Sequence, residues 1–558
     1  AAYFRHAEHI NRVSQRVVHW VLDSRLDLGS GLACVRRRVE CTSPELFLSQ
    51  PSNLIRAFFL AQSLGIGFSP DLETLISGAS EGPGALQPDG ECGPLLLRIL
   101  EAPERVAVSL TIMAQMGVLG WILPEFAPLM TLAPRNSAHE YTVGYHSLEV
   151  VRRLEGMREE SSASLFREVF SHLDYPATIF LAALLHDSGR AFGGSGHAAQ
   201  GAAQVPAIGI RLDMEPQQAH KAQILVEHHL LMSEISRFRD INQEASIKEL
   251  TAVAPDQDLL DHLFLLTYAD GASVGKSAWS PLQARFLEAL YDRAVRILAR
   301  PESDIGEIDL RRYQRKVARA LSAHNLDPEH VARHVDLMPA PYLLNTPPQT
   351  MALHIEMVEK LQVFGKPVVE FRDDRDGQFT ELIICVYDEP RPGLLSKIAG
   401  CLWAHAVSVH AAQVFTREAA PRIALDTLWL DLHGHTLDPY AKRRLEMDLA
   451  PVLAGNVSVR ELLIAAGKGD VLDAPLHEPE VAAHRTDGHT ICEVRVGDQR
   501  GLLYRITHAI SELGWNITSA RINSDGTRAR DVFYVAGLTD VATEEAARLL
   551  RERLVAPR

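Results

Sequence analysis

Thr178-Ile-Phe-Leu-Ala-Ala-Leu-Leu-His186-Asp187-Ser-Gly-Arg190 is the stretch on which the fold turns. Its first part is an apolar run of core-helix length, well short of the roughly 18 apolar residues a membrane span needs. The run ends on an imidazole beside a carboxylate. Neutral imidazole nitrogens and carboxylate oxygens hold divalent Zn, Mn or Fe while leaving a position open for water. An adjacent His-Asp pair also offers a carboxylate able to bridge two metals, which makes Asp187 the candidate bridging ligand.

Outward from this pair, residues of the same type recur across one domain's length. His146 precedes it, and His197 follows the loop Gly193-Gly194-Ser195-Gly196, flexible enough to return an imidazole to the helix end. Glu227-His228-His229 and Tyr268-Ala269-Asp270 supply the remainder. Segments 178–185, 221–231 and 259–268 are apolar, helix-like runs that each bring a candidate to or near a C-terminal end. His228 and His229 compete for one position, because neighbouring helical residues point about 100° apart. Arg190, a helical turn beyond His186, reads either as a cation for phosphate oxygens or as one that complements a helix dipole. His139, His172, His220 and His262, among 24 histidines, read as ordinary surface or core residues.

Length and composition bound the rest. A chain of 558 residues with 46% hydrophobic and 23% charged residues is ordinary for a protein of three to five domains. Its net charge of −15 disfavours nucleic acid as a partner. The cysteines at 34, 41, 92, 385, 401 and 492 form no CxxC pair, which argues for a reducing cytoplasm and against a thiolate zinc site. No signal peptide and no membrane span is evident. The chain opens at Ala1 inside a helical pattern, Tyr3-Phe4-Arg5-His6-Ala7, and is expected to continue something longer.

Periodicity predicts a helical region over 1–138, broken by a loop at 77–93, then a helical metal-binding domain over 139–320 and a helical connector over 321–379. Beyond that the pattern changes. Leu382 to Tyr387 reads as a strand, Leu394 to Ala404 as a helix, and Val407 to Phe415 and Leu425 to Leu430 as strands. The same events recur with strand Ile491 to Val496, helix Leu502 to Leu513, and strands Asn516 to Asn523 and Asp531 to Val535. Pro392-Gly-Leu-Leu-Ser-Lys-Ile-Ala399 matches Arg500-Gly-Leu-Leu-Tyr-Arg-Ile-Thr507, and Leu425-Asp-Thr-Leu-Trp-Leu430 matches Arg530-Asp-Val-Phe-Tyr-Val535. This is an internal repeat, with domains expected at 380–465 and 488–558.

Residues 139–280 resemble the HD-domain metallophosphohydrolases. Nearly the whole chain resembles the bifunctional PII uridylyltransferase/uridylyl-removing enzymes. The matching stretches are Tyr141-Thr-Val-Gly-Tyr-His146-Ser-Leu148, Leu181 to Asp187, His229-Leu-Leu-Met-Ser233 with Arg239-Asp240-Ile241, Pro341-Tyr-Leu-Leu-Asn-Thr-Pro347, and the two terminal repeats, which resemble ACT domains. The resemblance implies a multidomain α plus α+β fold: an all-helical N-terminal region and HD domain, then two βαββαβ ACT-like domains. It implies a divalent metal (Mn, Mg, Zn or Fe) on His146, His186, Asp187, His197, His229 and Asp270, with Asp187 and Arg190 as catalytic residues. It implies removal of UMP from a tyrosine of the PII signal protein. Glutamine is the expected effector, on Gly393 with Ser408 and Gly501 with Asn516, and oligomers through the ACT domains are compatible with it.

Several departures stand out. Arg190 replaces the family's lysine, Gly196 and Gln200 replace acidic residues around His197, and the turn at Asp498-Gln499-Arg500-Gly501 lacks proline. The Gly-Ser turn and paired-aspartate strand of the family's nucleotidyltransferase domain are not found; Asp374-Arg375-Asp376 reads as a solvated turn. These residues are therefore expected to remove UMP, and a longer parent to transfer it as well. Competing readings are a guanosine tetraphosphate hydrolase, disfavoured because Ser188-Gly189-Arg190 stands where Glu-Asp is usual, and a cyclic-dinucleotide phosphodiesterase, which would carry Gly-Tyr-Pro near the fourth ligand. A third is a non-catalytic amino-acid sensor with a decayed HD site.

Overall fold

In the computed structural model, residues 25–556 are described except for 81–85, 134–140, 160–163, 194–195, 239–243, 274–278, 280, 300–316, 320, 322–325, 340–341, 344–345, 374–378, 389–392, 418, 470–473, 487–488, 498, 523–527, 537 and 539–540. The helical pattern at residues 3–7, Arg239-Asp240-Ile241, Asp374-Arg375-Asp376, the Pro390 to Pro392 turn and Asp498 lie outside them. The chain divides into two compact units, one of residues up to 301 apart from 237–246, the other of the remainder.

The first unit is mostly helical, and its inner helices read as the apolar runs do. Helix α1 (Val143–Gly156) starts at Thr142, whose side chain accepts from the Tyr145 amide. Helix α2 (Pro176–Leu185) has proline in its first turn, where a missing N–H costs nothing, and buries every residue from Ala177 to Leu185. Short helix α3 (His197–Ala202), α4 (Pro216–His228) and α5 (Gln257–Ser273) complete the frame. Helices α1 and α2 pack on each other and on α5, and α4 packs on α2, α3 and α5.

The expected all-helical N-terminal region holds one exception. Strands β1 (Leu26–Gly29), β2 (Leu32–Val35), β3 (Arg38–Cys41) and β4 (Gly67–Phe68) form a four-stranded sheet. Strands of two to four residues give too few alternations to register as a period-2 pattern, while the helices around them dominate the sequence signal.

The second unit carries one eight-stranded sheet, ordered β5-β6-β8-β7-β11-β12-β10-β9. The first half comprises β5 (Val368–Asp373), β6 (Thr380–Tyr387), helix α6 (Leu394–Ala404), β7 (Ser408–Arg417), β8 (Ile423–Asp431), and helices α7 (Pro439–Leu453) and α8 (Val459–Ala465). The second comprises β9 (Glu480–Thr486), β10 (His489–Gly497), helix α9 (Leu502–Glu512), β11 (Asn516–Arg521), β12 (Arg528–Ala536) and helix α10 (Thr543–Val555). The halves join where β7 meets β11 at Ala412 and Ala520, and α6 packs against α9.

The mixed class and both repeats match the sequence reading, but each repeat is ββαββα among the described residues instead of βαββαβ. The fourth strand of each sheet comes before the unit: β5 pairs with β6, and β9 with β10, both antiparallel. The repeats therefore begin at 368 and 480, ahead of the expected 380 and 488. Strand β5 is half-buried to exposed throughout, so its sequence carries little of the apolar alternation that marks a strand.

Candidate metal centre

Two helices of the first unit stop on a histidine and use it in the same way. His186 ends α2, and its Nδ1–H donates to the Ala183 carbonyl at 2.9 Å. His229 ends α4, and its Nδ1–H donates to the Val226 carbonyl at 2.8 Å. A carbonyl only accepts, so Nδ1 carries a proton, and in the neutral imidazole Nε2 is the lone-pair atom, aimed away from the helix. His228, its rival in sequence, is only half-buried.

Around these two nitrogens the remaining residues close. His146, one turn into α1, places Nε2 2.9 Å from Asp270 Oδ1 of α5. His186 Nε2 lies 3.6 Å from that oxygen and 3.6 Å from Asp187 Oδ2. The other Asp187 oxygen is 3.2 Å from His197 Nε2 and 4.0 Å from His229 Nε2. Two triads result: His146, His186 and Asp270; and Asp187, His197 and His229, the ligand atoms of each within 4.8 Å of one another. Asp187 turns one oxygen to each. His172, His220 and His262 belong to neither.

The electrostatics follow from packing opposite charges out of water. Burial works against charge on His186, yet Asp187 and Asp270 outweigh it and raise its pKa to about 9. Burial also pushes both carboxyls up, but His186 and the other imidazoles hold Asp187 and Asp270 well below the usual carboxylate range. His229 is driven down to about 4, by burial and then by His186, which keeps it in the neutral form that ligates.

Residues 143–266 match a protein-family model described as the HD domain. The helical unit therefore contains an HD domain. Asp270 lies just beyond the matched span. Similar whole chains are bifunctional uridylyltransferase/uridylyl-removing enzymes: that of Gluconobacter oxydans is 30% identical over 92% of this chain and 55% of its own length, and that of Rhodopseudomonas palustris 30% identical over 90% and 55%. A third, from Ruegeria pomeroyi, is 27% identical over 96% and 59%. The chain thus spans about half the length of the curated relatives it matches. Among solved structures, a CCA-adding enzyme with ATP aligns over 58% of this chain and 63% of its own at TM-score 0.28 and 12% identity, a likeness too low to argue from.

The residues of the HD domain fit a divalent cation. His186 Nε2, Asp187 Oδ1 and His197 Nε2 are buried atoms without a hydrogen bond, which costs free energy unless something else satisfies them. Arg190 Nε stands 2.6 Å from Asp187 Oδ1 as an ion pair without hydrogen-bond geometry. Arg190 is thus set against the shared carboxylate, a placement that neither sequence reading of it contained. Side-chain exposure of 18% at Asp270 and 21% at His197, against 1–6% at His186, His229, Asp187 and His146, puts the mouth of the site on that side.

Sequence reading missed Gly189. A Cβ there would run into the His197 carbonyl, so only glycine lets α3 approach closely enough to return His197. The following Ser188-Gly189-Arg190 turn was legible, but the close approach depends on a helix eight positions onward.

In the second unit, a small open cleft lies between the two repeats, lined by Asp388, Gly393, Ser396, Thr507, Ser511 and Asn516 among others. It brings together Gly393 from one expected effector pair and Asn516 from the other. Ser408 is exposed at the start of β7, and Gly501 lies beneath the Trp403 ring; neither lines the cleft.

Proposed function

We propose that the HD domain hydrolyses the phosphodiester between UMP and a tyrosine of the PII signal protein, under control of glutamine bound between the two repeats. The observation that carries the reading is the sharing of Asp187: its two oxygens serve two triads, the ligand pattern suited to cleaving a phosphodiester. A divalent metal bound there supplies a Lewis acid and water acidic enough to act as nucleophile at neutral pH.

The chain's own residues do the rest. Asp187 fixes the spacing of the two triads, and the helix-end imidazoles are locked by their own carbonyls, so the ligands are set before substrate arrives. Arg190, held at Asp187, is placed to shift onto non-bridging phosphate oxygens, where its planar fork binds two at once. The mouth beside His197 and Asp270 admits the linkage, while the apolar walls of α2 and α5 exclude water behind it. Tyrosine oxygen, with a pKa near 10, leaves with little acid assistance. The six cysteines are unpaired, and among the described residues no helix is long and apolar enough to cross a membrane. The unpaired cysteines fit our placement of the reaction in a reducing cytoplasm.

The test is to incubate uridylylated PII with the chain and Mn²⁺ and follow UMP. Release that stops on chelation supports the reading. Intact PII-UMP after prolonged incubation with metal-loaded protein refutes it.

A further inference from the structure

The two repeats are related by a pseudo-dyad that makes α6 and α9 neighbours, and this relation should generate two equivalent clefts. Superposing Gly393 on Gly501 along the repeat places Ser396 on Tyr504, Ala399 on Thr507, Trp403 on Ser511, Val407 on Trp515 and Ser408 on Asn516. Each glycine then faces the other repeat's residue. The nearest atom to a Cβ built on Gly393 is Ser511 Cβ at 3.8 Å, whereas a Cβ on Gly501 would fall inside the Trp403 indole. These are the same contact on opposite sides of the dyad, one made by a hydroxymethyl group and one by an indole.

The rest of the two sides follows suit. Around Gly393 the wall is mixed: Ser396, Thr507, Ser511 and Asn516 line the cleft with Asp388, beside apolar residues such as Leu395, Val414 and Trp515. Around Gly501 the counterparts are Tyr504, Ala399, Trp403 and Ser408. Trp403, Ala399 and Tyr504 pack with Leu463 of α8 into a separate apolar cluster, and Trp403 is only 8% exposed, its ring 5.8 Å from that of Tyr504. An indole seated in this way fills the volume a small polar ligand would need, and removing it would leave a cavity lined by apolar groups.

We infer that the repeats form a single competent effector cleft, on the Gly393–Asn516 side, and that Trp403 permanently plugs its dyad mate. The inference rests on the effector reading above and sharpens it. The chain binds one glutamine instead of two, through the start of α6 at Gly393 and the second repeat's strand β11. Gly501 and Ser408, expected as effector residues in separate pairs, then face each other on the plugged side and serve structure alone.

Calorimetric titration of the intact chain with L-glutamine tests this. One equivalent is expected. Ser511→Trp, which copies the plug to the open side, should weaken binding by more than about tenfold, or 1.4 kcal/mol. Trp403→Ala should leave the affinity of the open cleft within about threefold. A thermal melt of each variant separates loss of binding from loss of fold, and Ser511→Leu provides a smaller plug should the tryptophan not be accommodated. Two equivalents in the unmodified chain, or glutamine binding lost with Trp403→Ala and kept in a folded Ser511→Trp, would overturn the inference while leaving the effector reading intact. No glutamine binding at all would remove both.

Discussion

The two units handle polar groups in opposite ways. The HD domain packs four imidazoles and two carboxylates together almost out of water, and their mutual attraction decides each protonation state. The sheet unit spreads single polar side chains along a cleft between two copies of one fold, with Asp388 the one ionisable group among those that line it. The first arrangement is costly unless a cation or proton neutralises it; the second costs little and binds by shape. On the reading proposed above, chemistry belongs to the first and recognition to the second.

The sharpest way to break that division is Asp187→Ala. It removes one member of the second triad and the oxygen turned towards His186 of the first, and UMP release should fall by about 10³-fold or more, some 4 kcal/mol of barrier. Glutamine titration should be unchanged. A variant that lost both functions would show that the division is wrong. Chelation should have the same one-sided effect, abolishing release and sparing glutamine.

Gly189→Ala comes next. A methyl group against the His197 carbonyl displaces one ligand, with an expected loss of about 10- to 100-fold in metal affinity, the order seen when a ligand's support is disturbed. Metal titration of the folded variant reads this, and unaltered affinity would mean that His197 does not ligate. Arg190→Lys keeps the charge at Asp187 but not the fork, and should lower kcat about tenfold with metal content unchanged.

An effect on stability alone is expected in the sheet unit, where Tyr342 Oη links His334 Nε2 at 2.8 Å and His354 Nδ1 at 2.9 Å, all three buried. Tyr342→Phe should cost about 2 kcal/mol in denaturant unfolding, since both bonds go and their partners stay buried. Burial, then the neighbouring His354 and Arg417, push His334 down to about 3; burial and Arg372 do the same to His354. Both are neutral when folded, whereas unfolded they take up protons below about 6.5. Stability from this cluster is therefore full above that pH and drains away as pH falls towards 3. A sheet unit equally stable at pH 4.5 and 7.5 would contradict this.

How much of this was legible varied with where the information resides. The six residues that converge could be singled out because metal chemistry is written in side-chain identity, and His186, Asp187 and His229 stand at recognisable breaks in apolar runs. Helix 394–404 came out with its observed bounds because Gly393 marks its start and its apolar period is strong. Strands β5 and β9 did not, since an edge strand is specified by the partner it pairs with more than by its own residues. The role of Trp403 was hidden for a different reason: one more apolar residue in a helix means nothing until the dyad sets it over Gly501.

Crystals of the chain soaked in Mn²⁺ and recorded at a wavelength where manganese scatters anomalously give the most direct test of the central claim. The account predicts two peaks, one among His146, His186 and Asp270 and one among Asp187, His197 and His229, with Asp187 between them. A map with no peak at either position, and His186 hydrogen-bonded to the two carboxylates in fully soaked crystals, would contradict it.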